Sequence, residues 1–182
     1  KVKEQLVATE AAVEYLLKGR GVDYGKNFKI IRCTTISSEM GMGWRAAQRA
    51  NAYFDHLAFC PHCKRLEYMS PDRVPYVKDR GLFKKISSTP SFAWYFCGRC
   101  GAKWTDKHRV KALRNGEVRA RLDGWQDLVK DGADPEHDPR SLKQYLDEEN
   151  PGTGAISIPS LCLPTVPLCS WVTDKIAGDN DS

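Results

Sequence analysis

Apolar positions recur at helical spacing near the start of the chain: Val2, Leu6, Val7, Val13, Leu16 and Leu17 fall on one face, with Glu4, Glu10, Glu14 and Lys18 elsewhere. Gly19 and Gly21 close the pattern, which predicts an amphipathic helix over residues 2–18 resting on a core. The next apolar run, FKIIRCTTI, is continuous and rich in β-branched residues, the signature of a strand buried on both faces. A helix followed by a buried strand is the edge of an α/β sheet. The intervening GVDYGKN reads as a turn: Gly21 to Gly25 is one residue too short for G-x4-G-K, and Asn27 replaces Ser or Thr. After Gly41 and Gly43 a second helix is predicted over roughly Trp44 to Tyr53.

RLEYM, GLFKKI and FAWYF then have strand character, separated by the turn residues of SPDRVP and SSTPS. TDKHRVKALRNG predicts a short helix with Thr105 or Asp106 as its N-cap and Gly116 beyond its end. Residues 123–155 are rich in Asp, Pro and Gly and read as a linker with one helix near Leu142 to Glu148. In ISIPSLCLPTVPLCSWVTDKIAG the prolines forbid a central strand or long helix until SWVTDKIAG, where Ser170 is placed to cap a final turn or two. The class is α+β. Its expected divisions are residues 1–56 (α/β edge), 57–121 (a small cysteine-bearing β unit with its helix), 122–155 (acidic linker) and 156–182 (helical or irregular).

Charge sharpens these divisions. The net charge is +5. Residues 64–121 hold 15 Lys and Arg against 5 Asp and Glu, whereas residues 122–150 hold 3 against 9. The basic block would attract polyanions, above all double-stranded DNA; the competing expectation is that the acidic segment folds back and masks it. The candidate phosphate contacts are Arg65, Lys84, Lys85, Arg99, Lys103, Lys107 and Arg109. No apolar run approaches membrane-spanning length and no signal peptide opens the chain, so a soluble, cytoplasmic protein with no membrane partner is expected. Opening at Lys1 and closing at GDNDS, the chain reads as an excised piece of a longer protein.

Seven cysteines are an odd number, and four of them form the pairs CPHC (Cys60, Cys63) and CGRC (Cys97, Cys100). Two residues between paired cysteines let each pair wrap one edge of a tetrahedron, so two pairs predict a closed, structural Zn2+ site and a zinc ribbon rather than a disulfide framework. A closed shell has no open position for water or substrate, and a ribbon poor in core residues would draw its folding free energy from the metal. A catalytic zinc would need an open position and a base such as Glu67. Gly101 suits the position after the second pair, and Lys64 suits the equivalent position after the first less well. His62 is read as exposed and auxiliary. Cys33, Cys162 and Cys169 are read as core residues, and Trp94, Tyr95 and Trp104 as hydrophobic cover for the metal.

Taken together, FKIIRCTTISSEMG, AYFDHLAFCPHCKRLEYM, FAWYFCGRCGAKWTDKHRVKALRNGEVRA and ISIPSLCLPTVPLCSW resemble, in that order, segments of the large terminase subunit of the lambda type, a DNA-packaging ATPase and nuclease of phages. Val118 stands where that family usually has Trp. The resemblance implies a central fragment: the edge of the ATPase domain, the zinc ribbon, and the approach to the nuclease. It places Thr34 and Thr35 where nucleotide hydrolysis is coupled to movement. It implies ATP and Mg2+ as cofactors of the full-length parent, and as partners DNA, the small terminase subunit and the portal or procapsid, in the cytoplasm of a bacterial host. The phosphate-binding loop, the magnesium-binding acidic pair and the nuclease cluster are missing from these residues, so the fragment alone is expected to be catalytically silent. The alternative is a free-standing zinc-ribbon module that binds nucleic acid or a protein partner.

Overall fold

The computed structural model describes residues 42–75, 93–122 and 134–180. The helix expected over 2–18, the turn at Gly21 to Gly25, the strand over 28–36 with Cys33, Thr34 and Thr35, and the strand carrying Lys84 and Lys85 lie outside the described residues. The chain divides into two units, residues 1–50 and 51–182. In the first, helix α1 spans Met42–Gln48.

The second unit is organised by strand β1 (Ala52–Phe59). On one side β1 pairs antiparallel with β5 (Glu117–Ala120), in the register Phe54 to Ala120 and Leu57 to Glu117. It also pairs in parallel with β6 (Gly154–Ser157), Ala52 opposite Gly154, and at its far end antiparallel with the two-residue β2 (Leu66–Glu67). The helix expected over residues 44–53 is therefore cut short. Asn51 and Ala52 both donate to the Thr153 carbonyl, and from there the chain is extended. Pairing with segments 60 to 100 residues away decides the conformation of Ala52 and Tyr53 over any local helical preference.

A second, two-stranded sheet pairs β3 (Tyr95–Phe96) with β4 (Lys103–Trp104). Helix α2 (Asp106–Arg114) follows, capped by Thr105, whose hydroxyl accepts from the His108 amide. Asp106 in its first turn and Lys111 and Arg114 in its last match the helix dipole. Helix α3 (Leu142–Glu149) opens on a capping box of Ser141 and Gln144 and closes on Asn150 in the left-handed conformation. Helix α4 spans Leu168–Asn180, so it begins two residues before the expected cap at Ser170, which lies inside it.

Two apolar clusters result. The smaller gathers Ala52, Phe54 and Ala120 with Val118, Leu142 and Tyr145, the Tyr145 ring standing edge-on to Phe54 at 5.7 Å. The larger runs from both cysteine pairs through Met69, Tyr95, Trp104 and Leu113 to Leu161, Leu168 and Val172. The cysteine-bearing unit is thus not poor in core residues, as its short strands suggest. Its core is completed by the C-terminal segment, which packs back on it. Mixed parallel and antiparallel pairing with separate helices makes the fold α+β, as expected.

Candidate metal centre

Each cysteine pair sits in a tight turn of the same construction. In the first, the Lys64 amide donates to the Cys60 carbonyl at 3.0 Å and the Cys60 amide to the Arg65 carbonyl at 2.9 Å. In the second, Gly101 donates to Cys97 at 2.8 Å and Cys97 to Ala102 at 3.0 Å. The residue after each pair takes the left-handed conformation, with φ of 59° at Lys64 and 67° at Gly101. Lysine fills the position as glycine does, against the steric preference of an L-residue.

The two turns bring the four sulfurs together. All four Sγ atoms lie within 4.8 Å of one another, with Cys60 and Cys100 at 3.9 Å and Cys63 and Cys97 at 4.0 Å. Four sulfurs placed ~2.3 Å from a common centre would be separated by about 3.8 Å, so the cage has the size of a tetrahedral thiolate site. The separations far exceed the ~2.05 Å of a disulfide, and all four thiols are free. Cysteine is the whole donor set, so the cage can hold one metal ion with no position left for substrate.

Electrostatics differ from sulfur to sulfur. Burial opposes ionisation of Cys60, but the amides of Cys63 and His62, each 3.4 Å from its Sγ, together with the neighbouring Cys63 and Cys97 thiols, hold the thiol below its ordinary value. Cys97 is pushed well up, first by burial and then by Glu67, whose Oε2 accepts from the Cys97 thiol at 3.0 Å and from the Gly98 amide at 2.9 Å. An ion entering the cage must displace that proton. The Arg73 guanidinium lies against Gly98, held by the Tyr68 carbonyl at 3.0 Å and paired with Asp134; a side chain at residue 98 would collide with it. A cation beside Cys97 offsets part of the charge that four thiolates bring.

Tyr95 and Trp104 are fully buried against each other at 5.1 Å and cover the cage as expected. Cys162 is buried and Cys169 packs on the same core. His62 is exposed, its ring edge-on to His108 at 5.5 Å, and it adds no ligand.

The basic candidates fare unevenly. Arg65, Arg99, Lys103 and Lys107 are exposed; Arg99 donates to the Leu66 carbonyl, and the Lys103 ammonium sits 3.7 Å from the centre of the Trp94 ring. Arg109 is the correction. It is 0% exposed, and its guanidinium is spent on the carbonyls of Leu161, Leu163 and Val166 and on Asp106, so it cannot reach a phosphate. Lys111 and Arg114, outside the candidate set, are exposed as well. With Lys107 they stand at i, i+4 and i+7 on α2, one stripe, whereas Arg109 at i+2 points to the opposite side. That periodicity was the signal available in the sequence. The acidic segment does fold back, but Asp134 meets Arg73, and Asp138, Glu148 and Glu149 meet Arg140, leaving the α2 stripe uncovered by any of these pairs.

A buried ion cluster lies behind the first turn. Asp55 on β1 accepts from Arg121 Nε at 2.6 Å and lies 2.9 Å from His137 Nε2, with both Asp55 and Arg121 almost wholly out of water. Tyr68 stacks on His137 at 6.2 Å. This cluster joins the sheet to the segment after residue 133.

The sequence model of the family described as phage terminase large subunit gpA, ATPase domain, matches residues 2–125, a span that includes all four cysteines. No curated protein and no solved structure matches the chain.

Proposed function

The chain belongs to the family of phage terminase large subunits, and on that premise we propose that the zinc ribbon of residues 57–121 and the segments after it form a zinc-stabilised region linking the ATPase motor to the nuclease of a DNA-packaging enzyme. The observation that carries the reading is the clustering of the Cys60, Cys63, Cys97 and Cys100 sulfurs, all within 4.8 Å of one another, inside the matched span. Its resident ion is Zn2+, for which four thiolates and a closed shell are the commonest structural site. When bound, zinc supplies cross-linking of the two turns and no reaction step. The chain's own residues do the rest: the Cys63 and His62 amides steady the Cys60 sulfur, and Glu67 and Arg73 orient the second turn.

Thr34 and Thr35 are assigned to coupling ATP hydrolysis, with Mg2+, to movement in the full-length parent. The partners are duplex DNA, the small terminase subunit and the portal or procapsid, met in the cytoplasm of the bacterial host. Among the described residues no helix is long and apolar enough to cross a membrane.

DNA contact is assigned to Arg65, Arg99, Lys103 and Lys107, extended by Lys111 and Arg114, with Lys84 and Lys85 retained from the sequence. A duplex titration across salt concentrations tests it. Four phosphate contacts give a slope of log affinity against log salt near about −3.6, with no base preference. Changing Lys107, Lys111 and Arg114 to glutamine should flatten the slope, while Arg109, being buried, should contribute nothing to it. No binding at low salt would refute the interface.

A further inference from the structure

The segment between β6 and α4 satisfies only part of its own backbone: the amides of Cys162, Leu163 and Val166 donate to the carbonyls of Pro159, Ser160 and Leu163. It contains Pro159, Pro164 and Pro167, which lack amide donors, and beyond the short turn Ser160–Cys162 it forms no regular element before Leu168. The carbonyls of Leu161 and Val166 take their donors from elsewhere in the chain. Arg109, on the inner face of α2, supplies them: Nη1 donates to Leu161 at 2.7 Å and Leu163 at 3.2 Å, and Nη2 to Val166 at 2.6 Å. Its Nε donates to Asp106 Oδ1 at 2.8 Å. The same carboxylate oxygen accepts from the amide of Leu168, the first residue of α4, at 3.2 Å. Asp106 therefore lies at the start of α2 in sequence and at the start of α4 in space, where two helix dipoles both favour a negative charge.

We propose that Arg109 and Asp106 form a latch through which the cysteine-bearing unit positions α4, so that residues 159–175 move with the ribbon as one body and not as a flexible tether. A guanidinium is suited to this because its planar fork of donors can reach several carbonyls at once, and because burial without those partners would be prohibitive. The latch deepens the linking role proposed above and rests on that role only for its use in the motor. The contact is tested without any packaging or DNA-binding assay.

The test is amide hydrogen exchange on the full chain with zinc bound, comparing residues 168–175 of α4 with residues 54–58 of β1. Arg109→Met keeps an unbranched apolar stem in place of the arginine stem and removes every donor. The expected result is exchange in 168–175 about tenfold faster or more, as loss of several charge-assisted hydrogen bonds implies, with β1 protection and metal content unchanged. Unchanged α4 protection would overturn the proposal. So would an equal rise in β1, which makes Arg109 a stabiliser of the whole fold. Should Arg109→Met fail to fold, Asp106→Ala decides: it leaves the guanidinium on its carbonyls and removes the α4 cap. A rise confined to the first turn of α4, Leu168 to Trp171, is expected, and no rise there refutes the latch.

Discussion

Replacing Lys64 with glycine should stabilise the protein, although it deletes a long side chain beside the metal cage. Lys64 holds φ at 59°, the mirror of the position where Gly101 holds 67°. The left-handed region costs an L-residue about 1–2 kcal/mol. Glycine avoids that cost but loses about 0.5–1 kcal/mol more chain entropy on folding. The balance favours glycine by ~0.5–1 kcal/mol, a rise in Tm of about 1–4 °C for a chain of this size. Lysine also carries charge near the thiolates, so Lys64→Ala is the reference: it removes the charge and keeps the Cβ, and the difference between the two variants isolates the backbone term. Gly101→Ala supplies the opposite arm. A Cβ there meets nothing within 4 Å, so its cost of about 1 kcal/mol is conformational alone. Thermal unfolding of the zinc-loaded chain reads all three. A Lys64→Gly protein no more stable than Lys64→Ala, or a Gly101→Ala protein as stable as the parent, would refute the equivalence of the two turns.

Arg121→Met should cost about 3–5 kcal/mol, because it strands the buried Asp55 carboxylate, which among the described residues keeps His137 beside it; a loss below about 1 kcal/mol by denaturant unfolding would show that the cluster is dispensable. Asp138 gives a pH signature. The Arg140 side chain, then its amide, holds the Asp138 carboxyl down to about 2. Its folded value lies below the unfolded ~3.9, so its contribution is complete above that value and is lost as pH falls through about 2. Asp138→Asn should flatten the stability slope between about pH 4 and pH 2, and an unchanged slope would contradict the assignment. Cys97→Ser should abolish stoichiometric metal binding while part of the larger core persists, since Leu113, Leu161, Leu168 and Val172 add apolar burial that does not depend on the ion; full metal retention would sink the four-thiolate assignment.

What was legible in the sequence was local chemistry. The cysteine spacing names its own cage, Thr105 announces α2, and Ser141 with Gln144 frames α3, because ligand pairs and caps are read within a few residues. What was not legible depended on partners far along the chain. β1 reads poorly as a strand because Asp55 and His56 interrupt its apolar run; Asp55 is tolerated there through Arg121, 66 residues later, and His137, 82 residues later. The start of α4 is illegible locally for the same reason: its cap is Asp106, 62 residues upstream, and not the nearby Ser170. Composition alone groups Arg109 with the surface cations, whereas its helical phase relative to Lys107 and Lys111 points it inward.

The zinc cage is the claim on which the account turns, and X-ray absorption at the zinc edge of the purified chain, with elemental analysis of the same sample, tests it most directly. The expected result is one zinc per chain surrounded by four sulfurs at ~2.3 Å. A folded chain free of metal, or zinc bound through nitrogen or oxygen in place of any one sulfur, would contradict it.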